Sequence, residues 1–138
     1  MNLHFGIDLG GTKIELVAID NKFNILYKER ILTESEKGSD HVLNQIDVLY
    51  KKANKFFGFR EHTVGIGTPG SISQETGLLR NSTIYCHNGL PLTTLIENKI
   101  KHSIVIENDA NCFALAEAKL GAGKNYDVVF GVILGTGC

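Results

Sequence analysis

Apolar and polar residues alternate with a period of two near the start of the chain, and the period then lengthens to between three and four. Residues 3–8, LHFGID, read as a buried strand, and the glycines of GGT turn it into KIELVAID at 13–20. There Ile14, Leu16 and Ala18 alternate with Lys13 and Glu15, the spacing of a half-buried strand. An Asp20-Asn21 turn leads to a third strand of the same meander, ILYKERIL at 25–32. Val42, Ile46, Leu49, Ala53 and Phe56 then recur at steps of three and four, so residues 40–57 are predicted to form an amphipathic helix with Ser39 or Asp40 near its start. HTVGIGT at 62–68 is a further short buried strand. Residues 71–84 form a small ribbon turning at QETG, where Gly77 supplies a positive φ. Pro91 opens a helix whose buried face is Leu92, Leu95, Ile96 and Ile100. SIVIE at 103–107 is the next strand, residues 109–120 are an alanine-rich helix stopped by Gly121, and YDVVFGVIL at 126–134 reads as the last strand.

This order predicts an α/β domain: a mixed sheet of three antiparallel strands followed by parallel ones, with helices on both faces. The last strand does not complete that unit. FGVILGTG at 130–137 repeats FGIDLGGT at 5–12 almost letter for letter. It reads as the opening of a second copy, which divides the chain into 1–122 and 123–138.

Composition narrows the function classes. The 138 residues, 43% of them apolar, suffice for one globular domain. A formal net charge of −1 leaves no electrostatic footprint for nucleic acid or an anionic membrane. The run Val128–Leu134 is far shorter than a membrane span, and MNLHFGIDLGG does not resemble a signal peptide. Cys86, Cys112 and Cys138 are too widely spaced to suggest a disulfide framework or a zinc pair. A cytoplasmic protein with neither membrane nor nucleic-acid partners is expected.

Glycines at a strand-to-strand corner let backbone N–H groups converge on an anion. Gly10, Gly11 and Thr12 form one such corner, and Gly135, Thr136 and Gly137 a second. Asp8 in the first copy is replaced by Ile133 in the second. A carboxylate facing a phosphate needs a cation or a water shell between them, so Asp8 points to Mg²⁺. Both corners are also what a tight, ligand-free hairpin would look like; their repetition favours a phosphate.

Other patterns carry less. GIGTPG at 65–70 satisfies G-x-G-x-x-G, but no helix opens after Pro69 as a dinucleotide site requires. GAGK at 121–124 lacks the spacing of a Walker loop, and the five histidines show no ligand spacing. ENDAN at 107–111 puts Asn108 and Asp109 where a strand ends and a helix begins, the edge at which α/β sheets bind ligands. Asp109 could accept a proton from a hydroxyl there. Asn and Asp are equally ordinary helix caps, and context must decide.

GIDLGGTKIELVAID, GIGTPGSIS, ENDANCFALAEAKLGAG and GVILGTGC resemble, in order and spacing, the ROK family of sugar kinases and sugar-responsive repressors. The resemblance implies an actin-like (ribonuclease H-like) ATPase fold in which two lobes close over ATP and a hexose. It implies that Asp8, Gly10, Gly11 and Thr12 form the first phosphate loop, with Mg²⁺ at Asp8 through water, and Gly135, Thr136 and Gly137 the second. Asp109 matches the catalytic base, and Gly70, Asn81 and Asn108 the sugar-binding residues. GTPGSISQETGLLRNSTIYCHNGLPL looks more like fructokinase-type members than N-acetylglucosamine or glucose kinases. Family members are about twice as long, are homodimeric, and carry a structural zinc in the second domain. The chain is therefore expected to be half an enzyme, inactive alone. A repressor would carry a helix-turn-helix before the first phosphate corner, where only MNLHF stands.

Overall fold

The computed structural model describes residues 2–134. In chain order its elements are β1 (Leu3–Leu9), β2 (Lys13–Asp20), β3 (Ile25–Leu32), α1 (Ser39–Phe56), β4 (His62–Thr68), β5 (Ser71–Ile72), β6 (Leu79–Arg80), α2 (Leu92–Ile100), β7 (Val105–Asn108) and α3 (Asp109–Leu120). β1, β2 and β3 form an antiparallel meander, and β4 and β7 join β1 in parallel. The resulting five-stranded order is β3-β2-β1-β4-β7. β5 and β6 pair separately as the small ribbon, with Gly77 at φ 72° in its turn.

Period-two alternation gives this sheet two unlike faces. Leu3, Phe5, Ile7 and Leu9 of β1 are buried on the first face, together with Ile14, Leu16 and Ala18 of β2 and Val64 and Ile66 of β4. Helix α1 covers them with Val42, Ile46, Leu49, Tyr50 and Ala53, and α2 adds Leu92, Ile96 and Ile100 to the same cluster. Phe5 stacks on His62 with ring centroids 4.2 Å apart and meets Tyr50 edge-on at 6.2 Å. Each such side chain contributes about 1.5–3 kcal/mol on leaving water. Helix α1 has no side-chain cap, since Gly38 at φ 94° precedes it, but Asp40 stands in its first turn, where the helix dipole favours a negative charge.

Helix α3 lies on the second face. A Cβ built at Gly67 would approach Cys112 Sγ to 3.5 Å and Asp109 Cα to 3.7 Å, so the missing side chain is what lets the start of α3 come down on the sheet. The predicted helices on both faces are therefore found.

One predicted element is absent. Residues 126–134 carry no strand. Their β-branched and aromatic residues favour extended backbone, but a strand needs a partner for its N–H and C=O groups, and none of the seven strands pairs with this segment. It runs instead beside α3, so close that a Cβ at Gly131 would come within 3.1 Å of Ala114 Cβ. Val128 and Phe130 remain 87% and 89% exposed. The second glycine corner, Gly135, Thr136 and Gly137, lies outside the described residues. Among those described, no helix is long and apolar enough to cross a membrane.

Candidate active site

Parallel pairing aligns Asp8 of β1 with Gly67 of β4, Gly67 with Glu107 of β7, and Thr68 with Asn108. The C-terminal ends of three strands thus stand side by side, and α3 begins at the next residue, Asp109. Gly6, Asp8, Glu15, Val17, Gly65 and Gly67 share the second face. With Glu107, Asp109, Cys112 and Leu115 they wall a cleft of about 720 Å³.

Four carboxylates, Asp8, Glu15, Glu107 and Asp109, set the electrostatics. Partial desolvation against the sheet, followed by repulsion from Asp109 and Glu15, raises the pKa of Asp8, and Arg30 partly opposes this. Glu15 is also penalised by desolvation, but hydrogen bonds from Lys28 and Arg30 outweigh that and hold its pKa down. Arg30 Nε donates to Glu15 Oε2 at 2.7 Å and Lys28 Nζ lies 3.1 Å from Oε1. Glu107 is kept below its usual value by the Asn108 N–H at 2.7 Å and the Asn111 amide at 3.1 Å. Burial, and then the charges of Glu107, Asp109 and Asp8, push the Cys112 thiol up, which argues against a thiolate nucleophile.

Asn108 has two attachments. Its Oδ1 accepts from the N–H groups of Ala110 at 3.0 Å and Asn111 at 3.2 Å, capping α3. Its Nδ2 donates to Gly70 O at 2.6 Å. Gly70 has φ 80°, and a Cβ there would lie 2.4 Å from Arg80 O and 2.8 Å from Ser82 N. Only glycine fits that position, which presses the chain after β4 against the chain after β6. The ribbon, the end of β7 and the start of α3 are joined at this point.

The first glycine corner follows Leu9. Gly10 N–H donates to Lys13 O at 3.0 Å, and a Cβ at Gly10 would meet the same oxygen at 2.7 Å. That N–H is spent inside the turn, so a phosphate held here must use Gly11 and Thr12. Fully buried Thr33 braces the corner: its Oγ1 donates to Gly10 O at 2.7 Å and its N–H to Thr12 O at 2.8 Å.

Of the residues expected from the sequence, Asp8 and Asp109 face one cleft, and Asn108 and Gly70 are bonded beside it. Gly10, Gly11 and Thr12 are not among the residues walling the cleft. Asn81, at φ 57°, borders a separate open groove with Ser73, Thr83 and Tyr85. Sequence reasoning missed Glu15, Arg30 and Thr33. Glu15 was within reach, because the hairpin register Leu9↔Ile14 sets Asp8 opposite Glu15. Thr33 gave no signal, since both of its bonds span more than twenty residues.

Among the described residues, no group of three or more His, Cys, Asp or Glu side chains is arranged to hold a metal ion. Asp8 does suit a hydrated Mg²⁺, which binds through one or two carboxylates plus substrate phosphates, and a cation would relieve the repulsion from Asp109 and Glu15 that adds to burial in raising its pKa.

A family model described as the ROK family matches residues 4–138. An N-acetyl-D-glucosamine kinase from Histophilus somni is 41% identical over 135 residues, which is 98% of this chain and 44% of that protein. A ROK hexokinase from Thermus thermophilus superposes with a TM-score of 0.73 at 32% identity, covering 88% of this chain and 40% of the other. A ROK glucokinase from Streptomyces griseus, solved with glucose and AMPPNP, gives 0.75 at 28% identity over 91% and 39%. The chain thus spans less than half the length of these relatives.

Proposed function

Because this chain belongs to the ROK family, we propose that it supplies the sugar-side lobe of an ATP-dependent hexose kinase. The observation that carries the reading is the meeting of Asp8 and Asp109 across Gly67, at the C-terminal edge of the parallel strands. In this reading Asp109 takes the proton of the sugar hydroxyl as the hydroxyl oxygen bonds to the γ-phosphorus of ATP and the bond from that phosphorus to the bridging oxygen breaks, releasing ADP. Asn108, with one Nδ2 hydrogen committed to Gly70, keeps the other for a sugar hydroxyl. Gly70 and Asn81 complete the sugar side. The N–H groups of Gly11 and Thr12 receive a phosphate, and Gly135, Thr136 and Gly137 form a second phosphate loop at the opening of a further lobe, residues 123–138. Asp8 would hold Mg²⁺ through water. The ion would neutralise charge on the phosphates, and phosphoryl transfer depends mainly on such neutralisation and on positioning.

The sugar we propose is N-acetyl-D-glucosamine, on the support of relatives such as the Histophilus enzyme. The fructokinase-type grouping expected from residues 67–92 finds no support among these relatives. ADP release by the encoded protein, measured with N-acetylglucosamine, glucose, N-acetylmannosamine and fructose, tests both levels. N-acetylglucosamine should give the highest kcat/KM. Preference for fructose would overturn the choice of sugar, and release independent of any sugar would overturn the kinase reading.

A further inference from the structure

The glycine corner after β1 owes its shape to a residue distant in sequence. Thr33 lies just past the end of β3, has no exposed surface, and bonds both sides of Gly11: its Oγ1 to Gly10 O at 2.7 Å and its N–H to Thr12 O at 2.8 Å. The peptide joining Gly10 to Gly11 is planar and trans, so its C=O and its N–H point in opposite directions. The carbonyl is drawn inward to a buried hydroxyl, so the Gly11 N–H must point outward. Gly11 is exposed to solvent, so a ligand can approach it. The bracing segment is itself fixed at both ends. Gln45 Nε2 donates to Leu32 O at 2.8 Å, and Glu34, in the left-handed region at φ 51°, is held by Lys37 and His41 at 2.6 and 2.9 Å.

We propose that Thr33 is the positioning residue of the nucleotide side of the site: its buried hydroxyl aims the Gly11 N–H at a phosphate oxygen of ATP. Thr33 never touches the nucleotide. It acts by keeping one peptide plane from rotating, which would otherwise turn a hydrogen-bond donor into a carbonyl facing an anion. The proposal rests on the kinase reading above.

Two variants of the encoded protein separate the hydroxyl from the methyl group. Thr33→Val preserves shape and removes the donor; Thr33→Ser keeps the donor and removes the methyl. With ADP release as readout, Thr33→Val should raise the KM for ATP roughly tenfold while the KM for the sugar stays within about twofold, the loss expected for one hydrogen bond that orders another. Thr33→Ser should restore the ATP KM to within about twofold of the parent. An unchanged ATP KM in Thr33→Val, an equal rise in both KM values, or a Thr33→Ser variant as impaired as Thr33→Val would each overturn the proposal. Should Thr33→Val fail to fold, the serine variant still decides, because an ATP defect in it assigns the effect to packing. If the parent, in a protein carrying both lobes, shows no sugar-dependent ADP release, it is the kinase reading that falls.

Discussion

The two faces of the central sheet are built from the same strands and share almost nothing else. On the first face β1 places Leu3, Phe5, Ile7 and Leu9, all at most 2% exposed. On the second it places Gly6 and Asp8, beside Glu15, Gly65 and Gly67. The first face is closed by α1 and α2 and holds the protein together. The second leaves carboxylates repelling one another over bare glycine backbone, an arrangement that adds no stability and leaves room for a ligand. One-residue alternation thus lets a single strand serve two purposes, and a substitution should be costly in stability on one face and in chemistry on the other.

The sharpest test of that division is Asp109→Asn. On the proposed mechanism its turnover falls by about 10² to 10⁴-fold, the usual contribution of a general base, while the thermal midpoint and ATP binding stay near those of the parent. Undiminished turnover would remove Asp109 from the chemistry and the second face from catalysis. Phe5→Ala should do the opposite, costing about 3–5 kcal/mol in denaturant unfolding because the ring packs on Tyr50, Phe57 and His62. The fraction that remains folded should keep its KM values. A loss below about 1 kcal/mol would show that the core adapts around the vacancy.

The smallest effect concerns Asp8 and depends on pH. Its pKa is raised in the fold from an ordinary 3.8, so the folded state holds the proton more tightly than the unfolded chain. That contribution to stability is fully present below pH 3.8 and is lost as the pH rises through the higher folded value. Asp8→Asn cannot titrate, so its thermal midpoint should gain on that of the parent across this interval and lie slightly above it at neutral pH. A midpoint below that of the parent at pH 7 would mean that the attraction of Arg30 outweighs both the burial of Asp8 and the repulsion of Asp109 and Glu15.

Much of this arrangement could be read along the chain, and what could not has a physical cause. β2, β3 and β4 have the predicted limits, because alternation and flanking turns are local signals. The helix at 109–120 was also legible, and of the two candidate caps the fold uses Asn108. β7 begins at Val105 rather than Ser103, and strand ends are set by the neighbour that pairs with them. The case of 126–134 is the same effect at full length. FGIDL and FGVIL have nearly the same letters, yet only the first lies between two strands that complete its ladder. Asp8 and Asp109 stood out as carboxylates at strand ends. The bracing of the glycine corner by Thr33 and the binding of Gly70 to Asn108 are tertiary contacts, which no local pattern encodes.

The hydrogen bond from Asn108 to Gly70 has a mechanical consequence. The same side chain caps α3 and grips the base of the ribbon, so the ribbon and Asp109, the proposed base, are tied together. In a two-lobed enzyme the ruler that measures a sugar hydroxyl against its base would then be built into one lobe and keep its length whether the jaws are open or shut. Closure would have to deliver only the phosphate.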